Sequence, residues 1–273
     1  MTSRRKNKIE NEKEPLKFSE RVSRFFRALV DNVYVDKFNC IVCDKELQGE
    51  KRNGVCEKCA EKMTPLGDDI CNKCGRIQLN EAEYCISCQN YPKNFGKARS
   101  CFVFEGEARA IVHRLKFGNH RYLAKYMANA MVDRYLDCGF DCDVVTPVPL
   151  SAKRRRKRGY NQAELIAKKV AIQLKLPLSV SAVKKIRDTD EQARKAGVER
   201  MLNVRDAYAV GDASQVADKK VLLIDDVMST GATTSEVAKM LFKAKARDVQ
   251  VLTYCSTKYK LQSETNRGEE NEN

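Results

Sequence analysis

Tryptophan is absent, histidine occurs only twice, and no run of eighteen apolar residues exists in the 273-residue chain. The last of these leaves no segment able to cross a bilayer as a helix. Residues 1–17 are charged and lack the apolar stretch of a secretory signal, so the cytoplasm is the expected compartment. No Gly-Lys-Ser or Gly-Lys-Thr closes a glycine-rich loop, which excludes a P-loop nucleotide site. His113 and His120 have no partner that argues for catalysis or metal, and a surface or packing role is expected for both. No aromatic residue with a base-stacking role is evident.

Charged residues make up 32% of the chain and mean hydropathy is −0.54, the composition of a soluble protein with polar extensions. The formal net charge of +14 implies an anionic partner: a polyphosphate, nucleic acid or an acidic protein. Charge alone does not choose among them. Eight of the twelve cysteines form four Cys-x-x-Cys pairs: Cys40 with Cys43, Cys56 with Cys59, Cys71 with Cys74 and Cys85 with Cys88. The gaps of twelve and ten residues within the two halves are close to four-cysteine zinc-ribbon spacing. Two structural zinc ions in closed sites are expected, with redox catalysis disfavoured by four copies outside a thioredoxin-like context. Spacing leaves open whether the knuckles pair in sequence or interleave.

Residues 1–36 read as a polar tail followed by an amphipathic helix over 18–33, and 37–92 as the cysteine-rich unit. Residues 91–96 read as a linker. Residues 93–260 alternate strands and helices. Strands are expected at 99–104, 144–150 and 180–183, with 249–254 closing the sheet, and helices at 108–117 and 121–136. Residues 261–273 form a polar, acidic tail. Lys153, Arg154, Arg155, Arg156, Lys157 and Arg158 follow a strand and end at Gly159, an arrangement that suits pyrophosphate as well as a general nucleic-acid patch.

The most informative stretch is 221–234. Val221, Leu222, Leu223 and Ile224 fit a buried parallel strand, and Asp225 and Asp226 follow where open α/β sheets place their ligands. Ser229, Thr230, Gly231, Ala232 and Thr233 then lead into an amphipathic helix. Main-chain amides and hydroxyls at that helix start suit a phosphate. Two carboxylates accept hydrogen bonds only, so they suit sugar hydroxyls or a hydrated cation. Together these features describe a ribose 5-phosphate site. The stretch resembles the phosphoribosyl-pyrophosphate (PRPP) loop of type I phosphoribosyltransferases, in which the acids hold the ribose hydroxyls and the loop wraps the 5-phosphate.

From about residue 40 to 257 the chain resembles the ComF family, associated with DNA uptake in competent bacteria. The resemblance rests on the four knuckles and on His113-Arg114-Leu115-Lys116-Phe117. It continues through Thr146-Pro147-Val148-Pro149-Leu150, Arg156-x-Arg158-Gly159-Tyr160-Asn161-Gln162-Ala163, Arg187-x-Thr189-x-x-Gln192 with Arg200-x-x-Asn203-Val204, and 221–233. It implies a doubly wound, mostly parallel α/β sheet of the type I phosphoribosyltransferase kind, preceded by a small double zinc ribbon. It further implies PRPP and Mg²⁺ at Asp225 and Asp226, the 5-phosphate at 229–233, and pyrophosphate at Arg158, Gly159 and Tyr160. Arg187, Thr189 and Gln192 belong to a hood over an acceptor. Asp190-Glu191 departs from the small or proline residues often found there, which bears on acceptor geometry. Implied partners are PRPP, single-stranded DNA on the basic run, and DNA-uptake or helicase-type proteins. A binding module that senses PRPP or single-stranded DNA without turnover is the alternative function.

Overall fold

The computed structural model describes residues 39–47, 53–78, 82–189 and 203–258. All described residues belong to one compact unit. The helix expected at 18–33, the acidic tail, Asp190, Glu191, Gln192 and Arg200 lie outside the described residues.

In chain order the described elements are α1 (Glu57–Ala60), α2 (Ile86–Asn90), β1 (Lys97–Val103), α3 (Gly106–Phe117), α4 (Leu123–Asp137), β2 (Val144–Pro147), α5 (Ala152–Arg158) and α6 (Gln162–Leu174). They continue with β3 (Val183–Lys185), β4 (Tyr208–Val210), β5 (Lys220–Met228), α7 (Ala232–Lys243) and β6 (Asp248–Ser256). Four strands form a parallel sheet in the order β1-β6-β5-β2, and β3 and β4 pair antiparallel beside it. The expected α/β sheet is therefore present. Residues 249–254 do not close it, however: β6 is inserted between β1 and β5. Its residues are buried on both faces, which an interior strand requires and an edge does not.

Alternate residues of β5 feed two cores. Leu222 and Ile224 join α3, α4 and α6 on one face, and Val221 and Leu223 join α7 on the other. All four are fully buried, each such side chain contributing about 1.5–3 kcal/mol.

The cysteine-rich segment straddles the β1 edge. Cys40 and Cys59 belong to the first core, whereas Cys71, Cys74, Cys85 and Cys88 belong to the second. Pro65 bridges antiparallel to Phe102, and the amides of Leu66 and Val103 bond Cys101 O and Thr64 O at 3.0 and 2.9 Å. The β1 edge is thus covered rather than open. Gly75, at φ +66°, lets the second knuckle lie against β1, because a Cβ there would stand 2.4 Å from Ala98 O. Residues 91–96 connect α2 to β1 without helix or strand, as the linker reading expects, but the connection is anchored at two positions. Lys93 and Phe95 are only 6% and 1% exposed, because the cysteine-rich segment is packed on the sheet. The strand expected at 180–183 begins at Val183.

Candidate functional site

The structure gathers Cys40, Cys43, Cys56 and Cys59 in one group and Cys71, Cys74, Cys85 and Cys88 in another, each with its sulfurs within 4.8 Å of one another. The knuckles therefore pair in sequence. Cys43 Sγ lies 3.7 Å from Cys56 Sγ, and Cys74 Sγ lies 3.7 Å from Cys85 Sγ. Four sulfurs placed about 2.3 Å from a tetrahedral zinc stand about 3.8 Å apart, whereas a disulfide needs about 2.05 Å. The groups fit zinc. The amides of Cys56 and Cys85 each donate to a thiolate, Cys40 Sγ and Cys71 Sγ, at 3.3 Å. With four cysteines each, neither site leaves a position for chemistry.

The second feature lies on β5. Strand β2 ends at Pro147, opposite Ile224, while β6 continues alongside β5 to Met228. Asp225 and Asp226 thus stand where the sheet loses one neighbour and a crevice can open. Asp226 is 3% exposed; its Oδ1 pairs with Lys116 Nζ at 3.0 Å, and its Oδ2 is buried without a partner. Asp225 Oδ1 accepts the Asp226 amide at 2.9 Å. Burial, and then repulsion from Asp226, push Asp225 up to about 7, while Lys116, the Asp226 amide and Lys185 act against that rise.

Beyond Met228 the chain turns through Ser229 and Thr230, both half-buried, to Gly231 at φ +72°. That left-handed conformation suits glycine and starts the twelve-residue helix α7 with no side-chain cap on Gly231. Thr230 Oγ1 accepts the Ala232 amide at 3.3 Å, and Thr234 Oγ1 donates to Gly231 O at 3.1 Å. Ala232 and Thr233 occupy the first turn, whose main-chain N–H groups and helix dipole favour an anion.

The basic run is a helix, not a loop. Ser151 caps it by accepting the Arg154 amide at 3.3 Å, and Gly159 ends it at φ +80°. Arg154 and Arg158, four residues apart and so on one face, are half-buried, whereas Lys153, Arg155, Arg156 and Lys157 are exposed. Arg154 Nη2 donates to Thr189 O at 2.9 Å. The Arg158 guanidinium lies over Phe117 at 5.3 Å and bonds Gln162 Oε1 at 2.5 Å. Tyr160 is buried; its hydroxyl donates to Leu115 O and its ring carries the Arg121 guanidinium at 4.7 Å. Tyr160 therefore fixes the end of α3, where Lys116 sits.

The segment assigned to a hood leaves β3 and returns through β4. Arg187 Nη2 donates to Asn203 O at 3.1 Å and Arg205 O at 2.8 Å, so its side chain staples the two ends of the segment together. Thr189 is buried and its hydroxyl accepts Lys185 Nζ at 3.0 Å. Burial, with Arg154 beside it, pulls Lys185 down to about 8. The Tyr208 ring lies 5.2 Å from Lys185 Nζ. Burial and the nearby Asp225 raise the Tyr208 phenol, and a hydrogen bond with Thr233 opposes them.

A model described as the double zinc ribbon domain matches residues 29–89, and one described as the phosphoribosyl transferase domain matches residues 161–268. Competence protein F of Haemophilus influenzae is 26% identical over 220 residues, 78% of this chain and 95% of that protein. Competence protein ComFC of Streptococcus pneumoniae is 26% identical over 204 residues, 73% of this chain and 86% of that protein. Over most of its length the chain is thus similar to these competence proteins, with the same two domain types in the same order. DNA utilization protein YhgH of Salmonella typhimurium is 26% identical over 209 residues, covering 75% of this chain and 91% of that protein.

Lys116, Lys185 and Tyr208 have no assigned role from the sequence, and Arg154 only one shared with the whole basic run, yet Lys116 pairs with Asp226, Arg154 and Lys185 meet Thr189, and Tyr208 lies beside Lys185. Lys116 stands inside a quoted motif, and its position at the end of a helix before Gly118 was the available signal. Lys185 and Tyr208 gave none, since their roles depend on β3 pairing with β4 beside β5. Phe117 is exposed, with the Arg158 guanidinium over its ring. Among the described residues no helix is long and apolar enough to cross a membrane.

Proposed function

We propose that this protein is a member of the ComF family that binds PRPP together with Mg²⁺ and acts in competence-related handling of DNA, with transfer of the phosphoribosyl group to an acceptor as its reaction. One observation carries the reading: Asp225 and Asp226 meet the left-handed turn at Gly231 beyond the end of β2, with α7 starting in the next residue. Carboxylate acceptors suited to a sugar diol next to main-chain donors suited to a phosphate support this reading. The unpartnered Asp226 Oδ2 fits a ribose hydroxyl or a cation-bound water. Ser229, Thr230, Gly231, Ala232 and Thr233 would hold the 5-phosphate. Arg158, with the main chain of Gly159 and Tyr160, would face the pyrophosphate. Arg187, Thr189 and Gln192 are assigned to the hood, Arg187 as its staple.

In such a transfer a nucleophile attacks C1 of the ribose, the C1–O bond to pyrophosphate breaks, and the electron pair leaves with that oxygen. Mg²⁺, when bound, would supply charge neutralisation of the departing pyrophosphate. The chain's own residues orient the pentose and stabilise the leaving group through cations placed beforehand. A proposed division of the chain accompanies this reading: residues 37–92 as the ribbon and 93–260 as the transferase-like domain.

Calorimetric titration with PRPP, with and without Mg²⁺, followed by an acceptor panel scored for pyrophosphate release, tests the proposal. Binding strengthened by Mg²⁺ supports the site, and release with one acceptor supports transfer. Absence of PRPP binding in both conditions ends the reading, and binding without release across the panel reduces it to a sensing module.

A second reading, single-stranded DNA binding, has its own support. Four exposed cations of α5 adjoin the Arg158–Phe117 stack, and Phe117 is 70% exposed. Binding of this kind weakens steeply with salt.

A further inference from the structure

Four consecutive residues at the end of α3 hold four different parts of the molecule. Arg114 Nη1 donates to Ile41 O at 2.8 Å and to Val42 O at 3.0 Å, the two residues enclosed by Cys40 and Cys43 in the first knuckle. Leu115 O accepts the Tyr160 hydroxyl. Lys116 Nζ pairs with Asp226 Oδ1 at 3.0 Å. The Phe117 ring lies beneath the Arg158 guanidinium. The last turn of a helix leaves carbonyls unbonded and opens more readily than the middle. Contacts from outside the helix therefore decide where these four side chains stand.

The first metal group fixes the acceptors of Arg114. Cys40 and Cys43 stand in one tight turn, in which the Asp44 amide bonds Cys40 O at 2.9 Å with Asp44 at φ +61°. The Ile41 amide bonds Gly54 O at 2.8 Å, and the Cys56 amide bonds Cys40 Sγ at 3.3 Å, so the second knuckle of the group is tied to the same turn. Two thiolates of one turn reach one ion while that turn is closed, and small zinc units lose their arrangement without metal. Loss of the first zinc thus takes both carbonyls from Arg114. The first group is also the accessible one: Cys43 is exposed and Cys56 half-buried, whereas all four cysteines of the second are buried.

We propose that Arg114 is a positioning residue that couples occupancy of the first zinc site to sugar binding at the acid pair, by holding the last turn of α3 so that Lys116 faces Asp226. The inference rests on the reading of Asp225 and Asp226 as the site of a phosphorylated pentose. Coupling between two binding equilibria is reciprocal. A pentose phosphate therefore raises the affinity of the first site for zinc by the factor by which that zinc raises the affinity for the sugar. The second site is the control for general stabilisation, since a ligand of the folded chain protects both sites against unfolding.

The test is an equilibrium competition for zinc between the full chain and a chromophoric chelator, with ribose 5-phosphate as the probe. The step that Cys43→Ser weakens or removes belongs to the first site. Saturating ribose 5-phosphate is expected to raise the first-site affinity at least about fivefold more than the second, the lower end of ordinary coupling. Arg114→Met keeps an apolar stem without the donors and removes that excess, while Arg114→Lys keeps part of it, a distinction that loss of packing volume alone does not make. Calorimetry on the same proteins separates the two ways of failing. Binding of ribose 5-phosphate with no shift or with equal shifts at the two sites, or an undiminished excess in Arg114→Met, overturns the coupling alone. Should Arg114→Met fail to fold, the comparison of the two sites in the wild type decides by itself. Absence of any ribose 5-phosphate binding overturns the sugar reading of the acid pair, and the coupling with it.

Discussion

Lys116 and Asp226 form an ion pair at 3.0 Å in which the carboxylate is almost fully buried and the ammonium half-buried. The lysine projects from the end of α3 and the aspartate from β5, so the pair joins a helix to the central strand at the candidate site. It offsets part of the repulsion between Asp226 and Asp225. Removing Lys116 leaves a buried carboxylate without its partner.

Lys116→Met is therefore expected to destabilise the unliganded protein by about 1–3 kcal/mol. The loss should be larger at pH 8 than at pH 6, because protonation of Asp225 relieves the same repulsion. Urea denaturation at the two pH values measures it, and an equal loss at both would show that the charge on Lys116 contributes nothing.

Asp225 provides the pH dependence. Its folded value of about 7 lies above the ordinary carboxylate range, so the folded state holds a proton that the unfolded chain has released. Its contribution to stability is fully present below the unfolded value and is lost as pH rises through about 7. Asp225→Asn should raise the thermal midpoint of the unliganded protein, and raise it more at pH 8 than at pH 6. In the wild type a cation at the acidic pair competes with that proton, so Mg²⁺-dependent binding should strengthen from pH 6 to 7 and level off above. Thermal scans and calorimetry across this range check both signs.

Gly231→Ala places a Cβ on a left-handed residue, which costs about 1–2 kcal/mol. The new atom would stand 3.3 Å from Met228 Sδ, a contact that can relax. Chemical denaturation should show the backbone cost. Titration with ribose 5-phosphate should show a weaker site, because the amides of 231–233 shift with the turn.

Sequential pairing of the knuckles makes a prediction that interleaving does not. Cys40→Ser combined with Cys59→Ser removes two ligands from one group, since both belong to the first. Metal analysis should fall from two zinc ions per chain to one. A fall to none would indicate that each half of the cysteine segment contributes to both sites.

The strand, glycine turn and helix of 221–234 and the cysteine knuckles were legible in the sequence because their signals are local. Four apolar residues, two acids and a glycine turn occupy fourteen consecutive positions, and each Cys-x-x-Cys is one turn. Pairing of the knuckles was not legible, because similar gaps serve either arrangement. Position in the sheet was also hidden: the burial of β6 on both faces follows from β1 lying outside it, 151 positions earlier at Lys97 and Asp248. The anchoring of the 91–96 linker was hidden for the same reason. Their Pro, Asn and Gly composition signals a turn, while Asn94 is bonded to Ser235, 141 positions away. Lys185 and Tyr208 reach the acids only through the β3–β4 pair, and nothing in three-residue strands announces that placement.

The structure of the protein crystallised with ribose 5-phosphate tests the account most directly. The account predicts the phosphate against the main-chain amides of 230–233, with the 2- and 3-hydroxyls on Asp225 and Asp226. A crevice without ligand at saturating concentration, or the sugar bound with its hydroxyls turned away from both acids, would contradict it.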